Sequence, residues 1–396
     1  MPKLYFLLLC LVGSIGGWVS CTTDTEEVVC KLTDEQTAVR KTVPQMAVIA
    51  HRGTCRWAPE GSEAAMRWAR NSGAHYLECD LQRTKDGYLV IYHDDHLLRT
   101  TDVAQKYPER KHAPIAEFTL EELFQLDLGA WYNRNKPAYA RPGFEGLDIL
   151  TLEDVIKIAE GYRICRDEKQ KRIFIKEKGK IVTLYEADPA DNGNRPGIYP
   201  ETKKPELYPG IESDLKNELE RLGWYSPHIN SLKTIATQSG RIQTGNTAAR
   251  VVVQTFSGES LKKLREAFPR LIPFCFLVAC GVNQEVDQET YRNWIDYAIS
   301  HGAVIFGPCL PETTDELGNL LKPWMRDLIK EKDLLIHAYT FNTAEQAKEY
   351  IDQVDGFFTN ETLEVLTTLR KAGKLTFYTD PSEHPTEAGI LDLLGY

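Results

Sequence analysis

Residues 76–95 read YLECDLQRTKDGYLVIYHDD, and the pattern of that stretch fixes the reading of the rest of the chain. Its first half is a strand of period two, with Glu78 and Asp80 on one face and Cys79 on the other. Two carboxylates pointing into a protein interior are costly unless a cation neutralises them. Oxygen ligands alone, two residues apart, suit a hard ion such as Ca²⁺ or Mg²⁺ better than zinc. Asp86-Gly87 then marks a hairpin turn between strand-forming runs. With those two residues as the loop, His93 falls opposite Asp80 and shares its face, which sets an imidazole beside the carboxylates. A three-residue loop would shift the register by one.

Seven further runs rich in β-branched and aromatic residues surround this one: Ala47–Ala50, Gly197–Glu201, Val251–Thr255, Ile272–Leu277, Ala303–Phe306, Leu335–Tyr339 and Gly356–Phe358. Amphipathic segments lie between them, including Glu63–Asn71 behind a Ser62 cap, Leu152–Glu160 behind Thr151, Gly210–Leu222 and Pro323–Lys332. Strands alternating with helices predict an α/β protein, and eight such units predict a closed parallel (β/α)8 TIM barrel over residues 45–376. The spacing is regular except once. About a hundred residues separate the second run from the third, far more than one connection needs, so an insertion is expected there. It covers about 95–150, with an irregular piece over about 163–195. Neither is long enough for a good core of its own, which argues against a separate domain. Residues 377–396 are expected as a C-terminal tail.

Barrel strands deliver functional groups at their C-terminal ends. The first run ends in His51-Arg52-Gly53, a titratable ring and a guanidinium. The third supplies Glu201 and Lys203, two apart and hence on one face: a third carboxylate ligand and a point charge for an oxyanion. Taken singly these have plain structural explanations, a strand-end accident and a solvent-facing ion pair. Gln254, Tyr339 and Phe306 sit near strand ends and could shape an alcohol pocket, with aromatic faces suited to a quaternary ammonium; buried core is the competing role for the two rings.

The 396 residues are 42% hydrophobic and 26% charged, with a formal net charge of −10. That composition is of a globular protein, and its negative balance argues against nucleic acid as a partner. In residues 1–20 Lys3 is the only charge beside an apolar run from Leu4 to Val12, too short to span a bilayer and read as an export signal. It ends in Trp-Val-Ser-Cys at 18–21, similar to a bacterial lipobox in which Cys21 carries the lipid and opens a spacer over 21–44. The expectation is an exported lipoprotein facing the periplasm or cell surface, held to the membrane by its lipid only. The other cysteines, several of them inside apolar runs (Cys79, Cys275, Cys280, Cys309), read as small buried hydrophobes with at most a few disulfides.

The segments AHRG at 50–53, APEGSEAA at 58–65, YLECDLQRTKDGYLVIYHDD at 76–95 and GIYPETKKP at 197–205, with weaker support from VVVQTF at 251–256, IHAYTFN at 336–342 and VDGFFTN at 354–360, resemble the glycerophosphodiester phosphodiesterase family. The resemblance implies metal ligation by Glu78, Asp80 and Glu201, acid and base roles for His51 and His93, phosphate contacts from Arg52 and Lys203, and a (β/α)8 barrel with an insertion after the second strand. The cofactor would be one divalent metal, Ca²⁺ or Mg²⁺, and the substrate a small glycerophosphodiester. Two departures stand out. Pro59-Glu60-Gly61-Ser62 replaces the usual Pro-Glu-Asn-Thr, and Asn360 stands where an aspartate is usual. Glu60 is expected to orient Arg52 through a charge-assisted hydrogen bond. Two rival readings keep the site but change the role: a phospholipase C-like or lysophospholipase D-like enzyme acting on acylated lipid, and a surface lipoprotein that binds phosphodiesters without turnover.

Overall fold

A computed structural model describes residues 30–311, 317–375 and 386–396; the expected signal segment and Cys21 lie outside these residues. The strands, in chain order, are β1 (Ala47–Ala50), β2 (Tyr76–Arg83), β3 (Leu89–Ile91), β4 (Tyr162–Ile164), β5 (Phe174–Glu177), β6 (Lys180–Thr183), β7 (Tyr185–Ala187), β8 (Gly197–Thr202), β9 (Val253–Thr255), β10 (Phe274–Val278), β11 (Ile305–Pro308), β12 (Leu335–Phe341) and β13 (Gly356–Thr359). Eight of them, β1, β2 and β8 to β13, pair in parallel around a ring that closes where β1 meets both β13 and β2. A helix follows on the outside before each next barrel strand, from Glu63–Ser72 after β1 to Thr362–Lys371 after β13. This is the (β/α)8 TIM barrel expected from the run spacing.

Alternation along each strand sorts the side chains into two layers. Val48, Leu77, Cys79, Ile198, Val253 and Phe274 point outward into the large core under the helices. Ile49, Tyr76, Tyr199, Val252, Cys275 and Phe358 fill the barrel itself. Because Tyr76 faces inward, so must Glu78 and Asp80, and β2 thus carries two carboxylates up the inner wall toward its C-terminal end.

Between β2 and β8 lie residues 84–196, with β3 antiparallel to β2 and two antiparallel pairs, β4 with β7 and β5 with β6. Their own apolar cluster is modest, built on Val90, Tyr92, Phe118, Leu123 and Ile149. Buried ion pairs orient this region. Arg172 bonds Asp148 and Asp154 at 2.7 Å each, and Asp188 holds Arg67 at 2.7 Å and Arg70 at 2.6 Å on the first barrel helix. Truncating one partner of such a pair strands a charge in the interior, a loss of about 3–5 kcal/mol.

Two terminal stretches carry more structure than a spacer and a tail. Asp34–Arg40 is a helix with a Thr33/Gln36 capping box, and Gln36 Nε2 donates to the carbonyls of Ile299 and Ala303 at 2.9 and 3.0 Å. The final helix, Glu387–Leu394, buries Ile390, Leu391 and Leu394 against Ala64, Ala65 and Trp68. Among the described residues the cysteines are free thiols, and no helix is long and apolar enough to cross a membrane.

Candidate active site

The site is assembled at the C-terminal ends of β1, β2, β8 and β9. β1 hands over to a turn in which Arg52 (φ +54) and Gly53 (φ +83) are both left-handed. A Cβ on Gly53 would sit 2.7 Å from the Ala65 backbone, so glycine is required there. The turn aims the Arg52 N–H at Glu78 Oε2, 2.6 Å away. Register does the rest: Asp80 lies beside Glu201, and Glu201 beside Gln254. One ligand oxygen from each of Glu78, Asp80 and Glu201 lies within 4.8 Å of the others, and all three residues are buried.

Cations ring this triad. Lys203 Nζ is 3.2 Å from Glu201 and 3.4 Å from Asp80, and Arg52 Nε is 3.6 Å from Asp80. Burial raises Glu78 well above the carboxylate range, and Asp80 beside it adds to the rise. Burial also lifts Glu201, to about 7 despite Lys203. Asp80 goes the other way: burial opposes its charge, but Lys203, His93 and Arg52 hold it below the usual range. Two carboxyls that resist ionising alone, in reach of a third that is ionised, fit a divalent cation whose charge would remove the penalty.

A cation bound by the triad would have to expel the protons held by Glu78 and Glu201, so proton and metal would compete. At about pH 5 the Glu201 proton would win, and at about pH 8, above that group's value of about 7, it would be largely gone. The rise in Tm on saturation with Ca²⁺ or Mg²⁺ is expected to grow between those values. Scanning calorimetry with and without chelator reads it; a metal-induced shift that stays flat with pH contradicts the raised carboxyls.

His93 reaches the site by a different path from the one the hairpin suggested. Arg83 pairs with Leu89, Gln82 with Val90 and Leu81 with Ile91, one residue off the register of a two-residue loop. Asp80 is therefore opposite Tyr92, whose N–H it accepts at 2.9 Å. Thr84 explains the shift: its backbone N–H donates to the Tyr88 carbonyl at 2.9 Å, and its hydroxyl accepts from the Tyr88 N–H at 2.9 Å. Lys85, Asp86 and Gly87 (φ +89) are left as a three-residue loop. The chain leaves the ladder after Ile91, and His93 turns back to the carboxylates from a bend.

The two imidazoles have unlike supports. His93 Nδ1 lies 2.7 Å from Asp94 Oδ1. Arg99 donates to Asp94 at 2.6 and 3.0 Å and to Glu60 at 2.6 and 3.0 Å. Glu60 also accepts from Arg52 at 3.2 Å. His51 Nδ1 is 2.8 Å from the side-chain oxygen of Asn360. Burial, aided by Arg52, drives His51 down to about 3, and the same two causes lower His93.

Gln254 belongs to the inner wall and donates from Nε2 to Glu78 Oε1 at 3.0 Å, while its buried Oε1 has no hydrogen-bond partner. Tyr339 donates its hydroxyl to the Val278 carbonyl at 2.8 Å, and its ring meets the edge of Phe256 at 5.9 Å. Phe306 does not approach the site; it packs outward against Phe276 and Tyr291. Sequence reasoning missed Arg99 and Phe256. Asp94, equally unassigned from sequence, adjoins His93 along the chain, whereas nothing local marks Arg99. Gly61 also explains one departure: it sits at φ +66, a left-handed position that asparagine tolerates too, and Ser62 caps the next helix as a threonine would.

Residues 51–185 match the model of the Glycerophosphoryl diester phosphodiesterase family. Over 317 residues the chain is 26% identical to a glycerophosphodiester phosphodiesterase of Bacillus subtilis, covering 80% of this chain and 84% of that one. It is 26% identical over 326 residues to a glycerophosphodiester phosphodiesterase of Caldanaerobacter subterraneus, covering 82% and 98%. Among solved structures, a putative glycerophosphoryl diester phosphodiesterase from Silicibacter pomeroyi superposes with a TM-score of 0.57 at 18% identity, over 86% of this chain and 98% of that one. A phosphodiesterase from Oleispira antarctica, in complex with the product sn-glycerol-3-phosphate, does so at 0.52 and 20% identity, over 82% and 97%. The structural likenesses show the fold.

Proposed function

We propose that this chain, a homologue of the glycerophosphodiester phosphodiesterases, hydrolyses glycerophosphodiesters to glycerol 3-phosphate and an alcohol in a metal-dependent reaction with two-histidine acid/base catalysis. The observation that carries the reading is the meeting, at the barrel mouth, of the buried Glu78/Asp80/Glu201 triad with two imidazoles and two cations. A phosphodiester repels nucleophiles and expels a poor alkoxide leaving group. Bound by the three carboxylates, one Ca²⁺ or Mg²⁺ would neutralise a phosphoryl oxygen as a Lewis acid.

Arg52 and Lys203 bind and orient the phosphate; the buried Arg52 Nε lies 3.6 Å from Asp80, beyond hydrogen-bond distance, and so keeps a donor for an anion. One imidazole takes the proton of the attacking hydroxyl as its oxygen bonds phosphorus. The other gives a proton to the alkoxide as the second P–O bond breaks, and water is the final acceptor. The first nucleophile is either water or the glycerol hydroxyl beside the phosphate; phosphorus NMR would detect the cyclic glycerophosphate that only the second route forms. The aromatic wall of Phe256 and Tyr339 lies on the Lys203 side, 5.8 Å from its ammonium to the Phe256 ring, where an alcohol group can rest.

Purified protein with Ca²⁺ or Mg²⁺ is expected to release glycerol 3-phosphate from glycerophosphocholine, glycerophosphoethanolamine or glycerophosphoglycerol, and to stop on chelation. Release only from micellar acylated lipid would favour the phospholipase reading, and tight binding with no product would favour the receptor. In the same proposal Cys21 is the lipidated residue of an exported protein facing the periplasm or cell surface. Mass spectrometry of the mature N-terminus, compared with Cys21→Ser, tests that part.

A further inference from the structure

Asn360 directly follows β13 and faces His51 with an amide, a group that can present either an acceptor or a donor. Its orientation follows from its neighbours. Asn360 Nδ2 donates to Asn342 Oδ1 at 2.6 Å, and Asn342 Nδ2 in turn faces the Thr340 carbonyl at 3.4 Å. Turning both amides over would set the Asn342 oxygen against that carbonyl, two acceptors in contact. A second anchor agrees. The Cys55 thiol donates to Asn360 Oδ1 at 2.7 Å, and burial pushes this thiol up to about 12, so it keeps the hydrogen it donates. Asn360 Oδ1 is thus an acceptor facing His51 Nδ1, 2.8 Å away.

We propose that Asn360, locked by Asn342 and Cys55, is a positioning residue that keeps the His51 proton on Nδ1 and reserves Nε2 to accept one, leaving proton donation to the Asp94-backed His93. The asymmetry lies in the supports. An amide oxygen fixes the tautomer of a neutral ring but adds no charge to hold an imidazolium, whereas the Asp94 carboxylate does add one at 2.7 Å from His93. The inference rests on the proposed hydrolysis for the direction of proton flow, but not for the tautomer itself. Arg52, Asp80 and His93 are the other charged or titratable groups acting on the His51 ring, and none of them is changed in the test.

The test begins with the unaltered protein labelled with ¹⁵N-histidine. Long-range ¹⁵N–¹H correlations should show His51 as the Nδ1–H tautomer, and an Nε2–H tautomer overturns the proposal. Asn360→Ala should lower kcat by about 10–100-fold with KM changed less than about threefold, and should scramble the tautomer. Asn360→Asp should keep the tautomer and move the acidic limb of the kcat profile up by about one pH unit, because a carboxylate stabilises the imidazolium. Asn360→Ala with unchanged kcat, or with lowered kcat but an intact tautomer and Asn360→Asp with an unmoved profile, overturns it. Should Asn360→Ala fail to fold, the unaltered protein and Asn360→Asp still decide. A protein with the Nδ1–H tautomer that hydrolyses no diester sinks the function while sustaining the positioning role.

Discussion

Glu78→Gln should bind Ca²⁺ or Mg²⁺ at least about 100-fold more weakly and lose about a thousandfold in diester hydrolysis, yet unfold at a higher temperature than the parent protein in chelator. The opposition comes from the environment of Glu78. Among the described residues its carboxylate makes no ion pair; the Arg52 N–H and the Gln254 amide are its hydrogen-bond partners, and burial beside Asp80 penalises its charge. A neutral amide removes the penalty and keeps the contacts. Its oxygen accepts from the Arg52 N–H, and its NH₂ meets Gln254, whose free Oε1 can turn to accept it. The expected gain is about 1–2 kcal/mol.

Asp80→Asn is the control, because its sign is reversed. Asp80 is held ionised by Lys203, His93 and Arg52, so neutralising it strands cations and lowers the unfolding temperature, while metal binding is lost in both variants. Thermal unfolding in chelator and metal titration by calorimetry read the pair. Equal destabilisation by the two, or metal affinity untouched by either, is incompatible with a triad built to be completed by a cation.

The barrel was legible because its strands are buried on both faces. Such strands appear as short apolar runs, and the polar residues that interrupt them, Glu78, Asp80, Glu201 and Gln254, mark the inner wall by period alone. The register of β2 against β3 was not legible from Asp86-Gly87, since the side chain of Thr84 chooses between a two-residue and a three-residue loop. Nor could period place Phe306, whose strand β11 presents it outward to Tyr291. The supports of the histidines lie beyond local reading for another reason. Arg99 joins Glu60 from 39 positions away and Asn360 joins His51 from 309, contacts that exist only once the barrel has closed. The terminal helices escaped notice because each is short and buries few side chains, a pattern that polar neighbours obscure.

His51→Ala and His93→Ala should each lower kcat by about 10²–10⁴-fold with little change in KM, and the double variant should be little worse than the poorer single one. The two rings serve one displacement: a proton leaves the nucleophile as another reaches the leaving alkoxide, so once either transfer fails the second ring has nothing to complement. Independent effects would instead multiply. Leaving-group chemistry separates the roles. A glycerophosphodiester of p-nitrophenol departs as a weakly basic phenolate that needs no protonation, so the variant lacking the acid should recover most of its rate on it, while the variant lacking the base stays slow. With the carboxylate-backed ring as acid, His93→Ala is the variant rescued and His51→Ala is not. Metal affinity and unfolding temperature should stay near parental values, because neither ring is among the carboxylate ligands. Rescue of both variants, or full turnover by the double one, would remove acid/base catalysis by these histidines from the mechanism.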